Sequence, residues 1–108
     1  MNVETETDPI YIGEIEDIDQ GSVENFEYED IDYAIFHLES GFFATQGHCN
    51  CEDQAFINES NIQGEELECA SCSNVYSIVS GDPIGDEELL PFKIYEVIEE
   101  DGNIYLNL

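Results

Sequence analysis

Tyr33-Ala34-Ile35-Phe36-His37-Leu38-Glu39-Ser40-Gly41-Phe42-Phe43-Ala44-Thr45 decides how this chain folds. Tyr33 to Leu38 is rich in aromatic and β-branched residues, as strands are. Glu39-Ser40-Gly41 supplies a turn, and Phe42 to Thr45 forms a second strand running back. Working outward, Ile10-Tyr11-Ile12 and Ser22 to Tyr28 read as strands on the N-terminal side. On the C-terminal side, Val75-Tyr76-Ser77-Ile78 is β-rich, and Glu66-Leu67-Glu68 is a shorter run. Phe92 to Ile98 alternates, Asp101-Gly102 makes a hairpin turn, and Ile104-Tyr105-Leu106 returns. Only Glu14 to Asp19 and Gly85 to Leu90 have room for a helical turn. The pattern predicts an all-β fold, a small antiparallel β-sandwich or barrel. The 108 residues suit one domain. We expect residues 1–9 to form a flexible acidic tail and residues 10–108 the single domain.

The chain has four cysteines, spaced Cys49-x-Cys51, then 17 residues, then Cys69-x-x-Cys72. Each pair begins where a predicted strand runs out. Two loop tips carried on a rigid sheet can pinch a metal between them. Four thiolate donors point to an iron–sulfur cluster or to zinc. The polar, acidic start Met1-Asn2-Val3-Glu4-Thr5-Glu6 does not read as a signal peptide, so a cytoplasmic, reducing setting is expected. There, paired cysteines serve as metal ligands or redox groups more often than as disulfides. A dithiol redox pair at Cys69-x-x-Cys72 would need a βαβ context, which this pattern lacks.

Charge excludes several function classes. There are 27 acidic residues against one basic residue, Lys93, a formal net charge of −26. Such a surface repels nucleic acid and anionic lipid. It suits a basic docking face on a partner, and it also keeps a protein soluble or adapts it to a salty cytoplasm. No apolar run is long enough for a membrane span. There is no Gly-rich phosphate loop and no nucleophile elbow, and the chain is small for a substrate pocket beside a metal. An enzyme activity of its own is therefore not expected.

The residues around the cysteines resemble the Rieske-type ferredoxins. The first box is Gly47-His48-Cys49-Asn50-Cys51-Glu52-Asp53-Gln54-Ala55-Phe56. The second is Leu67-Glu68-Cys69-Ala70-Ser71-Cys72-Ser73-Asn74-Val75-Tyr76. The likeness continues through Ser80-Gly81-Asp82-Pro83, through Pro91-Phe92-Lys93-Ile94-Tyr95-Glu96-Val97 and into the closing Asp101-Gly102-Asn103-Ile104-Tyr105 hairpin. The family's pattern is Cys-x-His followed by Cys-x-x-His, with one iron on two thiolates and the other on two imidazoles. Here Cys51 and Cys72 stand where the family has histidine. The resemblance implies a Rieske-like fold and a [2Fe-2S] cluster on Cys49, Cys51, Cys69 and Cys72. It also implies a one-electron carrier that takes electrons from a flavin-containing ferredoxin reductase and docks transiently, as a monomer, on a terminal oxygenase. Each exchange of imidazole for thiolate adds a negative charge, so such a cluster is expected near −400 mV or lower, against roughly −150 mV and above for Rieske centres. The alternative is a zinc-stapled binding module on the same scaffold; the wider likeness favours iron–sulfur.

The remaining polar features have plainer readings. His48 fits no ligand spacing and is expected beside the centre or at the surface; His37 is expected to pack within a strand. Tyr76 and Ser73 stand where the family has groups that bond cluster sulfur, yet they also fit a core aromatic and a turn residue. Gly85-Asp86-Glu87-Glu88 replaces the family's shielding proline pair, which predicts a wetter site. The runs Glu65-Glu66, Asp86-Glu87-Glu88 and Glu99-Glu100-Asp101 read as solvated faces.

Overall fold

The structure, a computed structural model, describes residues 9–86 and 88–108. Most of the expected acidic tail lies outside the described residues. Among the described residues, ten strands form two antiparallel sheets, with two single 3-10 turns, at Ile15–Asp17 and Ile57–Glu59. The larger sheet uses β1 (Ile10–Glu14), β2 (Ser22–Tyr28), β3 (Ile31–Leu38), β4 (Gly41–Gln46), β9 (Ile94–Glu100) and β10 (Asn103–Asn107). Their spatial order is β1-β10-β9-β4-β3-β2. Side chains from both outer strands, Ile10 and Ile12 on β1 and Phe26 and Tyr28 on β2, pack in one core with Ile35 and Ile104. The sheet therefore curls towards a closed barrel, which hides apolar area and shortens the free edges. The smaller sheet comprises β5 (Asn61–Gln63), β6 (Glu66–Glu68), β7 (Val75–Ser77) and β8 (Pro83–Ile84), paired in that order.

The β3–β4 hairpin, Tyr33 to Thr45, explains how the two layers join. Side chains alternate across a strand. Tyr33 and Ile35 of β3 enter the barrel core with Phe42, Ala44, Ile104 and Leu106. Ala34, Phe36 and Leu38, on the opposite face, enter a second core with Leu67, Tyr76, Ile78, Phe92, Cys49 and Cys69. Both faces of β3 are thus covered, which is why its sequence is apolar almost throughout instead of alternating. His37 escapes burial by lying over Phe42, ring centroids 4.1 Å apart, with Nδ1 2.7 Å from the carbonyl oxygen of Ile18.

The closing hairpin behaves as its sequence demands. Asp101 and Gly102 both have positive φ, 54° and 82°, the two left-handed positions of the tight turn that matches strand twist. Three expectations need adjusting. The N-terminal helical turn is a single 3-10 turn, Ile15–Asp17, closed by the Asp17 carboxylate accepting from the Glu14 backbone N–H at 2.9 Å. The described residues of Gly85 to Leu90 form bends and turns without a helix. Phe92 also precedes its strand, because β9 begins at Ile94. Phe92 is instead fixed by its own N–H donating to the Gly81 carbonyl and by stacking on Tyr76.

The two-core arrangement predicts distinct mutant behaviour. Ile35→Ala and Phe36→Ala should each lower stability by about 3 kcal/mol in denaturant melts. Only Phe36→Ala should also hasten loss of a bound metal to a chelator. Equal effects of the two on metal retention would contradict the partition.

Candidate metal centre

Two loops build the centre. The first leaves β4 at Gln46 and runs through Gly47 and His48 to Cys49 and Cys51. It folds back on itself: the Cys49 N–H donates to the Ala55 carbonyl at 2.8 Å, the Gln54 N–H to Cys51 at 3.0 Å, and the Ile57 N–H to Gly47 at 2.8 Å. The second loop joins β6 to β7. There the Cys69 N–H donates to the Asn74 carbonyl and the Ser73 N–H to the Cys69 carbonyl, both at 3.0 Å. Ser73 takes a positive φ of 64°, which turns the chain after Cys72.

These loops bring all four cysteines together. The sulfurs lie within 4.8 Å of one another. Cys49 Sγ is 3.8 Å from Cys72 Sγ, and Cys51 Sγ is 4.0 Å from Cys69 Sγ. Cys49 and Cys69 are buried at 2% exposure each, while Cys51 and Cys72 are half-buried. All four are free thiols. The floor is apolar: Tyr76 and Phe92 stack beneath with centroids 3.9 Å apart, and Leu89 packs alongside.

The environment splits the thiols. Burial pushes the Cys49 thiol well above its ordinary value, and burial likewise raises Cys72. At Cys51 burial acts upward too, but the backbone amide of Ala55 and the neighbouring cysteines outweigh it and bring the thiol down to about 7. Burial, with the adjacent cysteine charges, raises the Tyr76 phenol to about 12. A metal here would bind thiolates, so uptake releases protons and strengthens as pH rises.

Four sulfurs in one cage fit a thiolate-bound iron or zinc by their chemistry. Sulfurs about 2.3 Å from one tetrahedral ion stand about 3.8 Å apart. A two-iron cluster would be held by the same four cysteines, two thiolates to each iron, and would supply a one-electron change there. The spacing observed matches one ion more closely.

Several residues that secure the site carried no signal in the sequence. Asn74 Nδ2 donates to Cys72 Sγ at 3.3 Å, and the Ser71 N–H to Cys69 Sγ at 3.4 Å. Ser71 Oγ donates to the Asp53 carboxylate, which ties the two loop tips together on the outer side. Gln46 Nε2 donates to the His48 carbonyl at 2.7 Å and to Asn50 Oδ1 at 2.8 Å, and its Oε1 accepts from the Lys93 N–H at 2.8 Å. Asn50 Nδ2 reaches the Leu90 carbonyl at 3.1 Å, holding the segment that leads into β9 against the first loop. Short polar residues beside ligands were the available hint, but their partners are remote in sequence.

His48 is not among the clustered ligands. Its Nε2 lies 2.8 Å from Asp32 Oδ2 and its Nδ1 3.0 Å from the Gln54 carbonyl, with the ring tilted on Phe56. The hydrogen bond to Asp32 raises the imidazole, whereas hydrogen bonds from Asn25 and then His48 lower the Asp32 carboxyl. Among the described residues, side-chain donation to cysteine sulfur comes from Asn74. Ser73 serves as a turn residue and Tyr76 as a core aromatic.

No protein-family model matches the chain. It is 27% identical over 100 residues to the 3-phenylpropionate/cinnamic acid dioxygenase ferredoxin subunit of Photorhabdus laumondii subsp. laumondii, covering 92% of this chain and 93% of that one. Its fold matches that of Sphingomonas yanoikuyae B1 ferredoxin with a TM-score of 0.83 at 19% identity, over 94% of this chain and 99% of the other. It matches equally, with a TM-score of 0.83 at 19% identity and 92% coverage of both chains, a chain from the complex of reduced oxygenase and oxidized ferredoxin in carbazole 1,9a-dioxygenase. The expected Rieske-like ferredoxin fold is therefore the fold observed.

Gly47 is a tight point of the first cysteine loop. A Cβ there would sit 2.6 Å from the carbonyl carbon, the carbonyl oxygen and the Cβ of Asp32. Gly47→Ala should destabilise the protein by about 2 kcal/mol in denaturant melts, and it should loosen the first cysteine loop, seen as faster hydrogen exchange at Cys49 and Ile57.

Proposed function

We propose that this protein is a one-electron carrier of an oxygenase system, with an iron–sulfur centre held by Cys49, Cys51, Cys69 and Cys72. The observation that carries the reading is the single cage of four sulfurs on a Rieske-like ferredoxin fold. An iron centre bound there supplies a reversible one-electron change. The cysteines bind it, and Tyr76, Phe92 and Leu89 keep water from its inner side. The Ser71 and Asn74 donors stabilise negative charge on sulfur and so raise the potential somewhat. Of the forms such a centre takes, the ferredoxin likeness favours [2Fe-2S] with an all-cysteine set and a potential of about −400 mV or lower.

The half-buried Cys51 and Cys72 form the outward side, where a partner's cofactor would approach. Exposed Leu90 and Phe56 and the acidic Glu52 and Asp53 lie on the loops around it. A partner face with basic residues would be drawn to them and would dock weakly, as electron-transfer partners do. The dioxygenase system named for the Photorhabdus relative supports a terminal oxygenase as acceptor. A flavin-containing reductase is the proposed donor and the cytoplasm the proposed setting. Residues 10–108 act as one monomeric domain, without an enzyme activity of their own.

A second reading, a zinc-stapled binding module, is favoured by the close sulfur spacing. Two measurements separate the readings. Anaerobically purified protein should contain iron and acid-labile sulfide and give a rhombic EPR signal after dithionite; zinc without sulfide would sink the carrier. Reduction by a flavin reductase should slow as salt rises.

The ligand set has its own test. Cys51→His with Cys72→His should shift the spectrum towards Rieske type and raise the potential by about 200 mV or more. An unchanged spectrum would show that neither cysteine is a ligand.

A further inference from the structure

We infer that the sulfur cage is set for a single tetrahedral ion, so that the metal-free chain takes up one zinc or ferrous ion in competition with a two-iron cluster. The inference rests on the ligand set proposed above and concerns how that site fills.

Three observations carry it. The first is spacing. All four sulfurs stand within 4.8 Å of one another, and two of the distances are 3.8 and 4.0 Å. One tetrahedral ion at thiolate bond lengths asks for about 3.8 Å throughout. Both of these distances run between the loops, Cys49 to Cys72 and Cys51 to Cys69. With Cys49 and Cys69 on one iron and Cys51 and Cys72 on the other, as the family pattern implies, both distances join thiolates of opposite irons, which a two-iron cluster would hold wider apart.

The second is a clamp. Ser71 on the second loop donates to Asp53 on the first, outside the cage. Setting the thiolate pairs wider apart means moving these tips and breaking that bond. The third is the anchoring behind the cage. Cys49 and Cys69 are each locked by their own backbone N–H to a carbonyl across their loop, and the stacked Tyr76 and Phe92 rings close the space beneath. A small ion enters with little rearrangement, whereas a larger cluster has to open the loops first.

Metal preference follows from chemistry. Sites of this kind bind zinc more tightly than ferrous iron. Zinc therefore holds the cage wherever cluster delivery lags, and the protein is then colourless and redox-silent. The ion displaces thiol protons as it binds.

Cobalt(II) tests this on the full-length metal-free chain, prepared without oxygen. We expect saturation at one cobalt per chain, with intense visible bands of a tetrahedral thiolate site. Zinc should bleach them one for one. Saturation at two cobalts per chain, at one per two chains, or with the pale spectrum of an octahedral ion would overturn the inference. Ser71→Ala removes the clamp without touching a sulfur and should speed zinc release to a chelator several-fold; an unchanged rate would overturn the clamp. The outcomes stay separate from those of the carrier reading. A failed cobalt titration leaves that reading standing if cellular protein contains iron and sulfide. Zinc-only cellular protein ends the carrier reading while supporting the single-ion cage.

Discussion

Everything near the centre depends on holding four thiols in a space the size of one ion. Thiolates that close repel one another, and two of the four cysteines are buried, where charge is poorly solvated. Burial accordingly keeps Cys49 and Cys72 protonated more strongly than usual, while backbone amides favour the charged form of Cys51. A cation relieves the repulsion and the desolvation together. A metal bound in the cage would therefore add to the stability that the scaffold supplies.

The scaffold provides that support through β3. One strand serves two cores, so the barrel and the cysteine layer share a wall. Phe36 and Leu38 press from that wall into the same cluster of side chains as Cys49 and Cys69. The loops are then fixed at their outer ends by polar contacts, Gln46 and Asn50 on one side and Ser71 to Asp53 on the other. Apolar packing sets where the sulfurs lie in depth, and directional hydrogen bonds set how far apart the tips stand.

Acidity works on a different scale. A net charge of −26 with one basic side chain acts at long range and is screened by salt, so it governs encounters and solubility instead of the fold. Among the described residues, the ion pair is His48 with Asp32, which serves to brace the first loop against β3.

Much of the fold could be read directly. Ser22–Tyr28 matches its expected bounds, the Asp101-Gly102 turn follows from residues that tolerate positive φ, and the four cysteines that the spacing singled out do come together in space. These features are local: periodicity, turn chemistry and donor type are written in consecutive residues. The short strands β5 and β8 escaped notice because three or two residues carry no period, and pairing alone makes them strands. The same holds for the contacts that tune the site. Nothing in the sequence links Asp32 with His48, Asp53 with Ser71 or Asn50 with Leu90, since each meeting exists only once the sheets have packed. By itself the sequence determined the strand pattern, the acid surface and the kind of metal donor. The tertiary structure alone decided how closely the sulfurs gather, because that spacing is a long-range distance set by two cores and a clamp.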